Sequence, residues 1–141
     1  METLIAYNIA GINSYRAKKG LPPVVEDKKL DEYALAGSTQ LSVDHKPHAH
    51  IEHDVKAGTI GSFGFSGGGA ENQGDPSGIF SFSDDMLSNG KQQIDWALAT
   101  MYKEGPGGGH YDNMMNGAFR RVGIGLLFVG SRLYMTNDFS T

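Results

Sequence analysis

The sequence predicts an α/β protein, a three-layer α/β/α sandwich with a small antiparallel sheet at its centre. Three observations carry this expectation. Three stretches repeat apolar residues at helical spacing, two stretches near the C-terminus read as strands, and the first of those strands is apolar on both sides. A strand that is apolar on both faces is covered on both faces, so helices are expected above and below the sheet.

In the first helix, over residues 4–16, Ile5, Ile9 and Ile12 recur at helical spacing. Thr3 is placed to cap it, and Gly20 followed by Pro22-Pro23 ends it. Asp27 is the expected cap of a second helix with the stripe Leu30, Tyr33, Ala34 and Leu41. Gly37 lies on the same face, and so small a residue there implies close packing against another element. A third helix starts at Ser88 or Asn89 and runs through Ile94, Ala97, Leu98 and Met101. Gly105 with Pro106 just beyond is its stop signal.

Residues 122–129 and 133–139 are the two strands. Gly130-Ser131 between them suits a tight hairpin turn. Side chains alternate along a strand, so Val122, Ile124, Leu126 and Phe128 share one face, while Leu127 and Val129 lie on the other. Residues 45–53 read as a polar loop or short extended piece. Residues 58–78 form a long glycine-rich stretch with a short strand expected at 60–65. A loop of that length in a compact domain usually has a function or moves.

The chain has 141 residues, which is enough for one domain, 1–141, with one hydrophobic core. Apolar residues make up 39% and charged residues 20%, the balance of a globular chain rather than a disordered one. A net charge of −4 and the lack of any basic run give no electrostatic case for nucleic acid or an anionic membrane. Cysteine is absent, which excludes disulfides, thiolate metal sites and thiol nucleophiles. No apolar run reaches the ~18–20 residues that span a bilayer. No signal peptide is visible, because Met1-Glu2-Thr3 leads straight into a helical pattern. For an exported protein, Met1 is expected to replace a removed leader.

The chemistry-bearing residues are few. His45, His48, His50 and His53 crowd into one short stretch, and His110 follows Gly107-Gly108-Gly109. Imidazole is the commonest metal ligand and suits acid–base work near neutral pH. In an extended segment His48 and His50 would share a face, although a solvated polar loop explains the same spacing. Glu71 follows a glycine-rich run. Glu104 sits at a helix C-terminus, the unfavourable end of the macrodipole for a carboxylate, and calls for a compensating partner unless it is an ordinary surface residue. The glycine runs lack the Lys-Ser/Thr of a phosphate loop, and no serine has a nucleophile-elbow context.

An ordered set of short motifs resembles one family. Asn13-Ser14-Tyr15-Arg16 and then Gly20-Leu21-Pro22-Pro23-Val24 resemble the first-helix motif and following turn of the CAP superfamily (cysteine-rich secretory, antigen 5 and pathogenesis-related proteins), with Ile12 where a histidine is frequent. Leu30 and Ala34 match the second helix. Ala70-Glu71-Asn72 resembles the Gly-Glu-Asn motif. Gly109-His110-Tyr111 and Val122-Gly123-Ile124-Gly125 resemble the Gly-His-aromatic motif and the strand after it, and residues 133–139 the final strand. The two cysteine pairs of many members are missing, as in bacterial ones.

The resemblance implies a three-layer fold whose central cleft holds two histidines and two acidic residues, able in some members to bind zinc or another divalent cation. Carried over, these are His110, Glu71, Glu104 and one cluster histidine, His50 by spacing with His48 as the alternative. It further implies a secreted, periplasmic or cell-surface protein whose partner is a protein, peptide or lipid. The leading expectation is a binding or effector module with a His/Glu cleft for a divalent cation. One alternative is a metal-dependent hydrolase in which Glu71 or Glu104 acts as base. The other is a lipid or sterol binder using Phe63, Phe65, Phe80 and Phe82.

Overall fold

The computed structural model describes residues 1–77 and 82–141. Five α-helices occur among them: α1 Glu2–Ala17, α2 Lys28–Asp44, α3 Ala49–Ala57, α4 Met86–Lys103 and α5 Gly109–Met114. The strands are β1 Val25–Glu26, β2 Gly69–Gly74, β3 Arg121–Val129 and β4 Arg132–Ser140. They form one sheet in the order β1-β3-β4-β2. No helix among the described residues is long and apolar enough to cross a membrane.

β3 and β4 are the expected hairpin. Val129 pairs with Arg132 across the turn, where Gly130 takes the left-handed backbone that a tight turn needs. β2 runs antiparallel to β4 along its outer edge. β1 lies parallel to β3, so the sheet is mixed rather than purely antiparallel. This short piece has no periodicity of its own. It is held by Val25 N–H on Arg120 C=O and Asp27 N–H on Val122 C=O.

Both faces of β3 are covered. On one face Val122, Ile124 and Leu126 join the main core with Leu4 and Ile12 of α1 and with Ile94 and Leu98 of α4. On the other face Gly123 and Gly125 meet α2 backbone to backbone. A Cβ at Gly123 would stand 2.2 Å from the Leu30 carbonyl carbon, and one at Gly125 2.1 Å from that of Ala34. Only glycine permits this approach. Towards the hairpin tip the cover ends, and Val129 is 51% exposed.

The helix boundaries differ from the sequence reading at several places. Thr3 lies inside α1, and Met1 occupies the cap position without a side-chain bond. Asp27 caps α2 as expected, accepting from the N–H groups of Lys29 and Leu30, and the stripe Leu30, Tyr33, Ala34, Gly37 and Leu41 is buried. α4 begins earlier than Ser88, because Asp85 accepts from Ser88 N–H and starts the helix at Met86. Of residues 45–53, 45–48 form the expected loop, but 49–53 are helical: α2 runs to Asp44, and His50 and His53 lie in α3. The expected strand at 60–65 is replaced by a 3-10 helix at Ile60–Phe63, and the strand of this region is β2.

Arg16 is fully buried near the end of α1. Its guanidinium donates to the carbonyls of Pro22, Met114, Asn116 and Phe119. A fixed fork of donors suits four carbonyls that no helix or strand satisfies. It ties α1 to the chain between α5 and β3, and so fixes the helix that carries His110.

Candidate functional site

The register of β2 on β4 sets Glu71 directly opposite Asp138, and that of β3 on β4 sets Asp138 opposite Gly123. Directly paired residues point to the same face, and Gly123 contacts α2, so both carboxyl groups lie beneath that helix. The Glu71 side chain is 1% exposed. Its Oε1 is 2.5 Å from His50 Nε2, and its Oε2 is 2.9 Å from His48 Nδ1. One carboxylate thus holds both histidines that the sequence offered as alternatives.

Each histidine is seated by its own neighbours. His50 lies in the first turn of α3, stacked on Tyr33 with ring centroids 4.5 Å apart. Its edge rests on Gly37, where a Cβ would come within 2.5 Å of Nε2. The small residue of the α2 stripe makes room for this imidazole. His48 precedes α3 in a left-handed conformation, φ 65°, unusual for a residue with a Cβ. Its backbone N–H donates to Gln73 Oε1 at 2.7 Å.

The charges follow from these contacts. Burial alone would push the Glu71 carboxyl up, but hydrogen bonds from His48, His50 and Asp138 outweigh it and hold the group at about 2. Asp138 goes the other way. Burial, the Glu71 charge and their shared hydrogen bond raise it well above the usual carboxylate range. Asp138 is completely buried, and neither of its oxygens meets a donor. Burial and the neighbouring Glu71 charge favour its neutral form, which can donate to Glu71. The bond to Glu71 raises His48, against the opposing effect of burial.

His110 and Glu104 form a second pair. Glu104 Oε2 is 2.6 Å from His110 Nδ1, and Glu104 Oε1 accepts His110 N–H at 3.0 Å. Burial raises the Glu104 carboxyl, but the bonds from His110 lower it further. This is the compensating partner that a carboxylate at the C-terminus of α4 calls for. Backbone contacts join the two pairs. Asn72 Nδ2 donates to His110 C=O at 2.9 Å, and Asn113 Nδ2 to Glu71 C=O at 3.3 Å. The side chains nevertheless group separately, Glu71 with the α3 histidines and Glu104 with His110.

Among the described residues, His50, Glu71 and Asp138 are the side chains able to share a metal ion, with ligand atoms all within 4.8 Å of one another. One imidazole nitrogen and two carboxylate oxygens form a donor set that suits zinc or another first-row divalent cation. Two carboxyl groups this close repel when both ionise, so a cation is the natural replacement for the shared proton. Sequence reasoning missed Asp138. The available signal was a carboxylate inside a strand next to one expected to be covered on both faces.

Of the phenylalanines offered for a lipid groove, the described ones lie in different settings. Phe65 is buried beside Leu30 and Tyr33, and Phe63 packs on that cluster. Phe82 is 45% exposed, and Phe80 lies outside the described residues.

Helices cover both faces of a four-stranded sheet, with a histidine–carboxylate cluster at its edge strand β2. Residues 9–139 match the Cysteine-rich secretory protein family, CAP, and the chain belongs to that family. Two solved structures share the fold. One is an extracellular protein containing a SCP domain from Bacillus anthracis, with 19% identity and a TM-score of 0.60 over 94% of this chain. The other is a cysteine-rich secretory protein from Staphylococcus aureus, with 18% identity and a TM-score of 0.60 over 98% of this chain. This chain spans only 40% and 38% of their respective lengths. A search of curated proteins found no match.

Proposed function

We propose that this chain is an extracellular binding module of the CAP type whose cleft takes a divalent cation, zinc being the test ion. The observation that carries the reading is the convergence of His50, Glu71 and Asp138 within 4.8 Å. His110, oriented by Glu104, is assigned the second imidazole of the cleft and offers Nε2 to the cation or to what the cation binds. The extracellular location rests on the likeness to an extracellular SCP-domain protein and a cysteine-rich secretory protein. Calorimetric titration of zinc at about pH 7.5 and 5.5 tests the reading, since ligands must be deprotonated to bind. Wild type is expected to bind at the higher pH and weaken at the lower, and His50→Ala to lose at least about tenfold at the higher pH. Equal binding by wild type and His50→Ala would place the ion elsewhere.

A second reading, a metal-dependent hydrolase, is favoured by one observation. His48 and His110 each have Nδ1 held by a carboxylate, the arrangement that orients an acid–base imidazole. When bound, the cation would supply Lewis acidity, and Glu71 or Glu104 is the carboxylate base of that reading. Hydrolysis of a peptide or ester library by the zinc-loaded protein, lost in His110→Ala, would support it. No turnover by the loaded protein leaves the binding module.

A further inference from the structure

Gln73 follows the Glu71-Asn72 pair on β2 and is 8% exposed, with both ends of its amide in use. Nε2 donates to Thr136 Oγ1 at 3.0 Å, and Oε1 accepts His48 N–H at 2.7 Å. Thr136 Oγ1 lies 2.8 Å from Ser38 Oγ, and Ser38 Oγ donates to Gly125 C=O at 2.8 Å. Ser38 and Thr136 are completely buried. Proton counting settles the direction of this chain. The Ser38 proton goes to Gly125, so Thr136 must donate to Ser38, and its remaining lone pair accepts from Gln73. That fixes which end of the Gln73 amide is nitrogen, and it leaves the oxygen facing His48.

At the far end of this relay stands a residue under backbone strain. A left-handed non-glycine residue persists only where its surroundings over-determine it. For His48 two contacts do so, Gln73 on the backbone N–H and Glu71 on Nδ1. With Nδ1 donating to the carboxylate, Nε2 carries the free lone pair, on a ring that is 34% exposed. Glu71 is the ligand carboxylate, so the group that locks the His48 backbone is a different residue from the one that would hold the ion.

We propose that Gln73, braced by Thr136 and Ser38, is a positioning residue that holds His48 left-handed and so keeps His48 Nδ1 on Glu71, the carboxylate that would hold the cation of the site. The cation part of this statement rests on the proposed function above; the positioning part does not. His48 becomes the outer partner of the ligand carboxylate, while His50 meets its other oxygen from a seat against Tyr33 and Gly37.

Nitrogen-15 spectra of the histidine rings and amide exchange of the full chain at about pH 8.5, where imidazoles are neutral, test the positioning. Wild type is expected to show His48 as a single Nδ1–H tautomer with a protected amide. In Gln73→Met the ring signals should move towards those of a free imidazole and the amide should exchange at least about tenfold faster, with the His110 signals unchanged. Gln73→Glu keeps the acceptor oxygen and should keep the His48 signature. Thr136→Val removes the brace without touching Gln73 and should shift His48 in the same direction as Gln73→Met, while Thr136→Ser should not. In parallel, Gln73→Met should weaken zinc binding about tenfold, as loss of an outer-shell partner does. An unchanged His48 ring and amide in both Gln73→Met and Thr136→Val would overturn the proposal. Should wild type bind no zinc, the cation reading falls, and the ring spectra still decide the role of Gln73.

Discussion

Glu71 and Asp138 face each other across the β2–β4 ladder, the first carboxyl held low and the second pushed up. Two carboxylates buried together beneath α2 repel, which favours a proton on Asp138. Asp138→Asn retains a neutral donor towards Glu71 and is expected to unfold within about 1 kcal/mol of wild type. Asp138→Ala removes the donor and leaves a void, for about 1–3 kcal/mol of destabilisation. Urea unfolding near neutral pH separates the two, and an Asn variant as unstable as the Ala variant would mean that Asp138 is ionised.

Stability should fall from mildly acidic to mildly alkaline pH. Asp31 accepts Ile124 N–H at the edge of β3, and burial together with the nearby Glu26 raises its carboxyl to about 7. A raised folded value means that its contribution is complete below the unfolded carboxylate range, near ~4, and is lost as pH rises through about 7. His48, also raised, adds a loss above its unfolded value near ~6.5. Glu71 acts oppositely. Its depressed value gives stability present above ~4.3 and lost as pH falls towards about 2. Melting curves across the range should therefore peak near about pH 4–5. Asp31→Asn should raise the melting temperature at about pH 8 by only about 2 °C, because water screens the pair, and leave it unchanged at about pH 5.

Replacing Arg16 should be among the most damaging changes in the molecule. Arg16→Met removes the donor from four carbonyls, of which only that of Asn116 keeps another, the Phe119 N–H. Arg16→Lys brings only three donors on a point charge. We expect losses of at least about 3 kcal/mol for both, with the Met variant no worse than the Lys variant. A Lys variant close to wild type in chemical unfolding would contradict the four-carbonyl account.

Gly37→Ala probes the seat of His50. The new methyl would overlap the imidazole at 2.5 Å from Nε2, so the ring must leave Glu71 or α3 must lift. Zinc affinity should drop at least about tenfold. The melting temperature should fall as well, through overpacking worth about 1–3 kcal/mol. A variant with wild-type zinc affinity would show that His50 is not a ligand.

The helices that face the core were legible because their apolar stripes are what the core demands: Leu30, Tyr33, Ala34, Gly37 and Leu41 were read on one face and lie buried there. α3 was not legible, because none of its residues is buried and its first residue follows a left-handed histidine without a side-chain cap. β2 was missed for a related reason. Its sequence, Gly-Ala-Glu-Asn-Gln-Gly, contains no β-branched residue, and it becomes a strand by pairing with β4. Two of the three candidate ligands, His50 and Glu71, lie on these two elements. These residues could be named from motifs, but their partners could not. Asp138 and Gln73 come into place only through strand register, which single-chain spacing does not reveal.

The backbone contact of α2 on β3 has a consequence for how the chain finds its fold. At Gly123 and Gly125 the helix rests on bare peptide planes, while Val122 and Ile124 alternate with them on the same strand. A slip of β3 by one residue beneath α2 would drive branched side chains into the carbonyls of Leu30 and Ala34, and the layers could not close. The alternation of glycine and branched residues in Val122-Gly123-Ile124-Gly125 acts as a vernier that admits a single alignment of helix and sheet, and with it a single alignment of the residues in the cleft.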